Sequence, residues 1–288
     1  MELLLMISAL KNASARHVTA VVPYFGFMRE DGTASPMRIA TTTTTTAEDD
    51  NVAAPETSHR SSNLAMADVA RMFEVVGCDR VVTFDLYASG QSVAEGFFNN
   101  VQIENLTSGR DVARQITQSL QLKSQTEDLI VVAPHSSCFS KAKKIQNHLK
   151  TATENENVGL ALVVRRPTSQ GQDVLVDLVG DVKGKNVLIV EDVVDSGRSM
   201  RRAARAAKEA GAKHIWGFAS HAVLPKDSGS RLEQSPLEKI LVLNTVPLST
   251  DTLSQCSKFI VIDVAPQISR LVMDLHMKED KSSVVDRA

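Results

Sequence analysis

An α/β fold, with mainly parallel sheets covered by helices on both faces, is predicted by three features of the sequence. Apolar runs of strand length alternate with helical patterns along the whole chain. Several of these runs are continuously apolar, as in strands buried on both sides, where a half-solvated strand would alternate. The stretch Val187 to Ser199, VLIVEDVVDSGRS, reads as a strand, an acid pair and a Gly-containing loop that turns into a helix near Met200.

The elements follow in order. Met1 to Ala13 has a helical pattern, without a Ser, Thr or Asp cap and with no preceding strand. It imitates a secretory leader, but it lacks a basic start and carries Glu2, so a simple helix is the expectation. VTAVVPYF is a strand that enters the charged loop Arg29-Glu30-Asp31. Residues 32–63 are rich in Thr, Ser and Ala, with six consecutive threonines, and read as a disordered surface insertion; a functional lid is the alternative. LAMADVARMFEVVG is a helix ending at Gly77, and DRVVTFDLY is a strand.

RDVARQITQSLQ gives an amphipathic helix, DLIVVAPHSS a strand with its loop, and SKAKKIQNHLK a helix on which Lys141, Lys143 and Lys144 read as a solvated face. VGLALVVRRP is a strand running into TSQGQD, which has the look of a mobile loop over a site, before the apolar VLVDLVG. SMRRAARAAKEAG carries an alanine face and a basic face and stops at Gly211. KHIWGFASHAVL, EKILVLNTVPL and KFIVIDVAP are further strands, and PQISRLVMDLHMK is a last helix.

At 288 residues the chain has room for two domains. A net charge of −2 gives no global basic field, so neither nucleic acid nor an anionic membrane is an expected partner, and any phosphate site must be local. No run approaches the roughly 20 apolar residues of a membrane span. The three cysteines (Cys78, Cys138, Cys256) are far apart, without metal-like pairing, which suits a reducing cytoplasmic setting.

The 187–199 stretch has the parts of a pentose 5-phosphate site. Backbone N–H groups of Ser196, Gly197 and Arg198, with the hydroxyls of Ser196 and Ser199, can surround a phosphate at the positive end of the following helix. Gly197 lets the backbone approach closely. Glu191 and Asp192, at the carboxyl end of the strand, are acceptors suited to vicinal sugar hydroxyls. The plain alternative is a buried strand followed by a polar turn.

EDVVDSG resembles the ribose-phosphate-binding signature of the type I phosphoribosyltransferase fold. ISALKNASARHVTAVVPYFGFMRED, DRVVTFDLYASGQSVAEGFF, LVGDVKGKNVLIVEDVVDSG, LNTVPL and IDVAP, in that order, resemble the ribose-phosphate pyrophosphokinases (PRPP synthetases) over nearly the whole chain. The resemblance implies two similar phosphoribosyltransferase-type domains. One covers residues 1–107 joined by the helix 266–288, and the other, which binds ribose phosphate, covers 108–265. It also implies Mg²⁺-dependent transfer of the ATP diphosphate group to the 1-hydroxyl of ribose 5-phosphate, and assembly with copies of itself or with a complete PRPP synthetase. A further several dozen residues are expected ahead of the helix at Met1, so the chain reads as amino-terminally truncated.

Carried over position by position, Glu191, Asp192, Asp195, Ser196, Gly197, Arg198 and Ser199 fall on the ribose 5-phosphate site, with Arg198 replacing a small residue. Arg29 and Asp31 fall on the ATP segment, with Glu30 in place of Gln. Tyr87 stands where the family has a metal- and ATP-contacting His, and Val164 where it has a Lys before Arg165 and Arg166. Pro134 to Cys138 replaces the Pro-Asp-Ala-Gly-Gly loop. Arg166 is the surviving catalytic cation, and His135 is the candidate replacement metal ligand. Three readings stay open: a divergent active synthetase, a non-catalytic associated subunit, and a phosphoribosyltransferase that consumes PRPP.

Overall fold

The computed structural model describes residues 1–26, 61–86, 96–122, 128–167 and 174–285; for residues 61–66, 165–167, 174–175 and 278–285 the description extends to the backbone. Helix α1 (Glu2–Asn12) precedes the short strand β1 (Thr19–Val21), and α2 (Ser61–Val75) leads to β2 (Arg80–Phe84) and β3 (Gln102–Leu106). These three strands form a parallel sheet in the order β1-β2-β3. Ile7 of α1, Ala70 and Phe73 of α2, Ala20 of β1 and Val81 of β2 share one apolar cluster with Phe25 and Phe98.

The second sheet has seven strands. After α3 (Arg110–Leu120) come β4 (Leu129–Ala133), a 3-10 turn (Ser136–Cys138), α4 (Phe139–Thr153), β5 (Gly159–Pro167), β6 (Val174–Val179) and β7 (Asn186–Val194). Then follow α5 (Arg198–Glu209), β8 (Ile215–Ala222), α6 (Ser228–Glu233), β9 (Lys239–Leu243), α7 (Thr250–Gln255), β10 (Phe259–Ile262) and α8 (Ala265–Val285). The strand order is β10-β9-β8-β7-β4-β5-β6, parallel except for β6, which runs antiparallel along β5 at one edge.

Side chains of β7 alternate between two cores. Val187 and Ile189 face Met200, Ala203, Ala204 and Ala207 of α5, while Leu188 and Val190 face Val112 and Ile116 of α3 and Ile145 and Leu149 of α4. Burial on both faces explains why β7 reads as a continuous apolar run. The alanine face of α5 lets the helix lie close to the sheet, and Gly217 on β8 makes room: a Cβ there would stand 2.6 Å from the Met200 sulfur. Phe84 and Leu106 of the smaller sheet pack into the second core, so the end of β2 reaches the larger sheet.

The structure agrees with the predicted α/β class and departs from the reading in detail. Strand β7 extends through Glu191 and Asp192, so the acids are part of the strand, and α5 starts at Arg198, two residues before the expected Met200. Strand β3 was not expected. The insertion stretch 32–60, Arg29, Asp31, Tyr87 and the TSQGQD loop lie outside the described residues, while residues 61–63 open α2.

Candidate functional site

The chain order places a switch point in the larger sheet. From β4 the strands step one way to β5 and β6, and from β7 the other way to β8, β9 and β10. In open α/β sheets the crevice beyond the carboxyl ends of two such strands is the place for a ligand. Here the loops that leave β4 and β7 stand side by side.

The loop after β7 is shaped by its glycine. Gly197 has φ of +73° and caps the amino end of α5. An added Cβ would sit 2.9 Å from Leu232, so both conformation and space call for Gly. Arg231 braces the loop from α6, its Nε donating to the Ser196 carbonyl at 3.3 Å and its guanidinium to the Ser228 hydroxyl at 3.0 Å. Arg198 is exposed, and Asp195, Ser196 and Ser199 are half-buried beside it. The first N–H groups of α5 and these side chains therefore lie at one helix start.

Glu191 and Asp192 are buried, 3% and 7% exposed. Asp192 is held through one oxygen: Lys141 Nζ lies 2.9 Å from Oδ1, while Oδ2 is buried with no hydrogen-bond partner among the described residues. Lys141 is 8% exposed, so the reading of 141, 143 and 144 as one solvated face fails at its first residue. The ammonium also donates to Asp85 Oδ2 at 3.0 Å and to the Ser220 hydroxyl. A Lys in the first turn of α4 points into the sheet edge because three acceptors converge there and supply a partner for each of its donors.

Asp85 closes this network from the smaller sheet. At the end of β2 it accepts from the Ser108 backbone N–H at 2.8 Å and from the hydroxyls of Ser108 and Ser220. Burial alone would raise its carboxyl, but the Lys141 ammonium and these donors hold it below the ordinary value. Burial opposes the charge on Lys141, yet Asp85 and Asp192 together raise its pKa. His221, next to Ser220, is pushed down to about 4 by burial and by the Lys141 charge; its ring lies 2.8 Å from the Thr245 hydroxyl and 3.4 Å from the Asp85 carbonyl. Lys141, Asp85, Ser108, Ser220 and His221 were all missed as site residues.

On the β4 side, His135 reaches Glu191 at 3.9 Å, the Ser137 hydroxyl at 2.6 Å and the Cys138 sulfur at 3.4 Å. Burial, with Asp192 and Glu191 nearby, raises the Cys138 thiol, so this Cys and His do not form an activated nucleophile. The residues fit a resident divalent cation poorly. No group of three or more His, Cys, Asp or Glu among the described residues could hold one, and Asp85 and Asp192 already share an ammonium. Val164 lies in β5 opposite Asp177, and the backbone of Arg166, two residues before the undescribed 168–173 segment, pairs with Leu175 of β6. Among the described residues no helix is long and apolar enough to cross a membrane, and all three cysteines are free and buried.

Comparison with known proteins converges on one family. Residues 125–285 match the model of the phosphoribosyl synthetase-associated domain, and residues 1–48 that of the N-terminal domain of ribose phosphate pyrophosphokinase. The chain is 30% identical over 270 residues to the ribose-phosphate pyrophosphokinase of Ralstonia nicotianae, covering 93% of this chain and 72% of that one. It is 31% identical over 259 residues to the Burkholderia pseudomallei enzyme of that name, covering 90% and 69%. In fold it is similar to the phosphoribosylpyrophosphate synthetase of Mycobacterium smegmatis, with TM-score 0.73 and 24% identity over 96% of this chain and 76% of that one. The chain belongs to the ribose-phosphate pyrophosphokinase family.

Proposed function

We propose that this chain binds ribose 5-phosphate in the loop after β7 and takes part in PRPP formation as a subunit that contributes the sugar-phosphate site more than turnover. The observation that carries the reading is the contrast at the switch point. The loop after β7 keeps its Gly197 geometry beside the acid pair, whereas the loop after β4 has His135 against Glu191. In the loop after β7 the phosphate is met by backbone N–H groups and by Ser196 and Ser199, and the sugar hydroxyls by Glu191 and Asp192. A hydroxyl donated to Asp192 Oδ2 would relieve a buried acceptor, which is otherwise costly.

In the family reaction the 1-hydroxyl oxygen attacks the β-phosphorus of ATP. The bond from that phosphorus to the α,β-bridging oxygen breaks, AMP leaves, and the hydroxyl proton is released. Arg29 and Asp31 would contact the nucleotide, and Arg166 would face the charge that develops on the moving phosphoryl oxygens. Mg²⁺ would enter with the nucleotide's phosphates and lend charge neutralisation to that oxygen framework. Val164 offers no charge there, and loss of one such donor costs roughly 2.7 to 4 kcal/mol of barrier.

A second reading, a slow but self-sufficient diphosphokinase, is favoured by the retained Arg166 together with the intact ribose-phosphate loop. Under either reading we assign residues 1–107 with 266–288 to one domain and 108–265 to the other, and place the protein in the cytoplasm, in homo-oligomers or together with a complete synthetase. Formation of AMP from ATP, Mg²⁺ and ribose 5-phosphate separates the readings. Little release by the chain alone, with a changed rate when a complete synthetase from the same source is added, supports the subunit. Brisk release by the chain alone, dependent on ribose 5-phosphate, contradicts it.

A further inference from the structure

We propose that Lys141 is the positioning residue of the sugar-hydroxyl site, an internal cation that fixes Asp192 and ties the end of β2 to the ribose-phosphate edge of the larger sheet. The inference rests on the ribose 5-phosphate reading and adds a residue to it. Its basis is the pattern of contacts. The ammonium has three donors, and three oxygens from three elements take them: Asp85 at the end of β2, Asp192 in β7 and Ser220 in β8. No N–H remains for a substrate phosphate, so Lys141 is not itself a ligand for the anion.

The two carboxylates explain why a cation belongs there. Asp85 and Asp192 approach the same ammonium oxygen to nitrogen at 3.0 and 2.9 Å, and Glu191 is buried next in sequence. Without the positive charge, two neighbouring buried carboxylates would repel, and one would take up a proton. A protonated Asp192 would present an O–H donor where the site needs an acceptor. With Lys141 in place, Oδ1 of Asp192 is committed to the ammonium, and Oδ2 is left as the single acceptor of fixed orientation. Asp85 is itself anchored by Ser108, so the position of Asp192 is referred to the smaller sheet as well as to its own strand.

Such a role predicts a selective defect. The phosphate loop beyond Gly197 contains none of these groups, so removal of the Lys141 charge should weaken recognition of the sugar and leave that of the phosphate. The test is calorimetric titration of the full chain with ribose 5-phosphate and, separately, with inorganic phosphate. In the parent protein ribose 5-phosphate should bind the tighter of the two. In Lys141→Met the ratio of the two affinities should fall about tenfold or more with phosphate affinity unchanged, and Lys141→Arg should restore part of it. If the Met variant does not fold, Lys141→Gln takes its place, with the same ratio deciding. An unchanged ratio in a folded neutral variant overturns the role of Lys141 and leaves the ribose reading intact. A parent protein that shows no preference for ribose 5-phosphate over phosphate overturns both.

Discussion

The loops after β7 and after β4 leave the same sheet edge as neighbours, yet they are built differently. The first is defined by backbone: a left-handed glycine, a helix start and a brace from Leu232 and Arg231, all of which tolerate little change. The second, with position 164 of β5 and position 87 beyond β2, depends on which side chains stand there, and each can be exchanged without loss of the fold. A site made from backbone geometry is hard to alter without disturbing the chain path, whereas one made from side-chain chemistry can be exchanged residue by residue. The fold is thereby preserved while the reaction it supports is open to change.

The sharpest way to break that contrast is at the β7 loop. Asp195→Ala and Gly197→Val should each lower ribose 5-phosphate affinity by roughly a hundredfold or more, the valine variant with an added stability cost of about 1 to 3 kcal/mol from the strained backbone and the Leu232 contact. Calorimetry and thermal unfolding read the two effects separately, and unchanged affinity in both variants would contradict the assignment of the loop. Next in size is the nucleotide side. Val164→Lys combined with Tyr87→His should raise AMP formation by roughly 10- to 100-fold; no gain would place the limitation in the 134–138 loop or elsewhere.

A smaller effect concerns the network between the two sheets. His221 has its pKa lowered to about 4 from the ordinary 6.5, so between those values the unfolded chain binds a proton that the folded chain does not. Its contribution is complete above about pH 6.5 and is lost as the pH falls toward 4, by up to roughly 3 kcal/mol. His221→Gln should flatten this part of the stability profile in urea titrations at several pH values; an equally steep profile would assign it to other groups. The smallest change is expected at Arg198. It is exposed, so Arg198→Ser should alter ribose 5-phosphate affinity by no more than about threefold at moderate salt, and a much larger loss would show that the guanidinium grips the phosphate.

Much of the fold could be read because β7, β4, β8 and β9 are buried on both faces and each carries an apolar run of at least four residues. Strand β3 escaped because QIENL breaks the alternation of a half-buried strand, Glu104 and Asn105 being polar in succession as in a loop. The short helices α6 and α7 have too few turns for periodicity to show; only Ser249, whose side chain accepts from the Thr252 N–H, could have marked α7. The glycine loop after β7 was legible because its determinants are contiguous. The Lys141 network was not, since Asp85, Ser108, Lys141, Asp192 and Ser220 come from five segments and meet only when both sheets are in place. A Lys among other lysines on a helix gives no sign of which one turns inward.

The central claim is that the ribose-phosphate half of the site is intact, and titration of ribose 5-phosphate into the purified chain and its Asp195→Ala variant tests it most directly. Saturable binding by the parent protein, lost in the variant while its thermal unfolding stays cooperative, is the predicted result. Absence of binding in the parent protein, or equal binding in both, would contradict it.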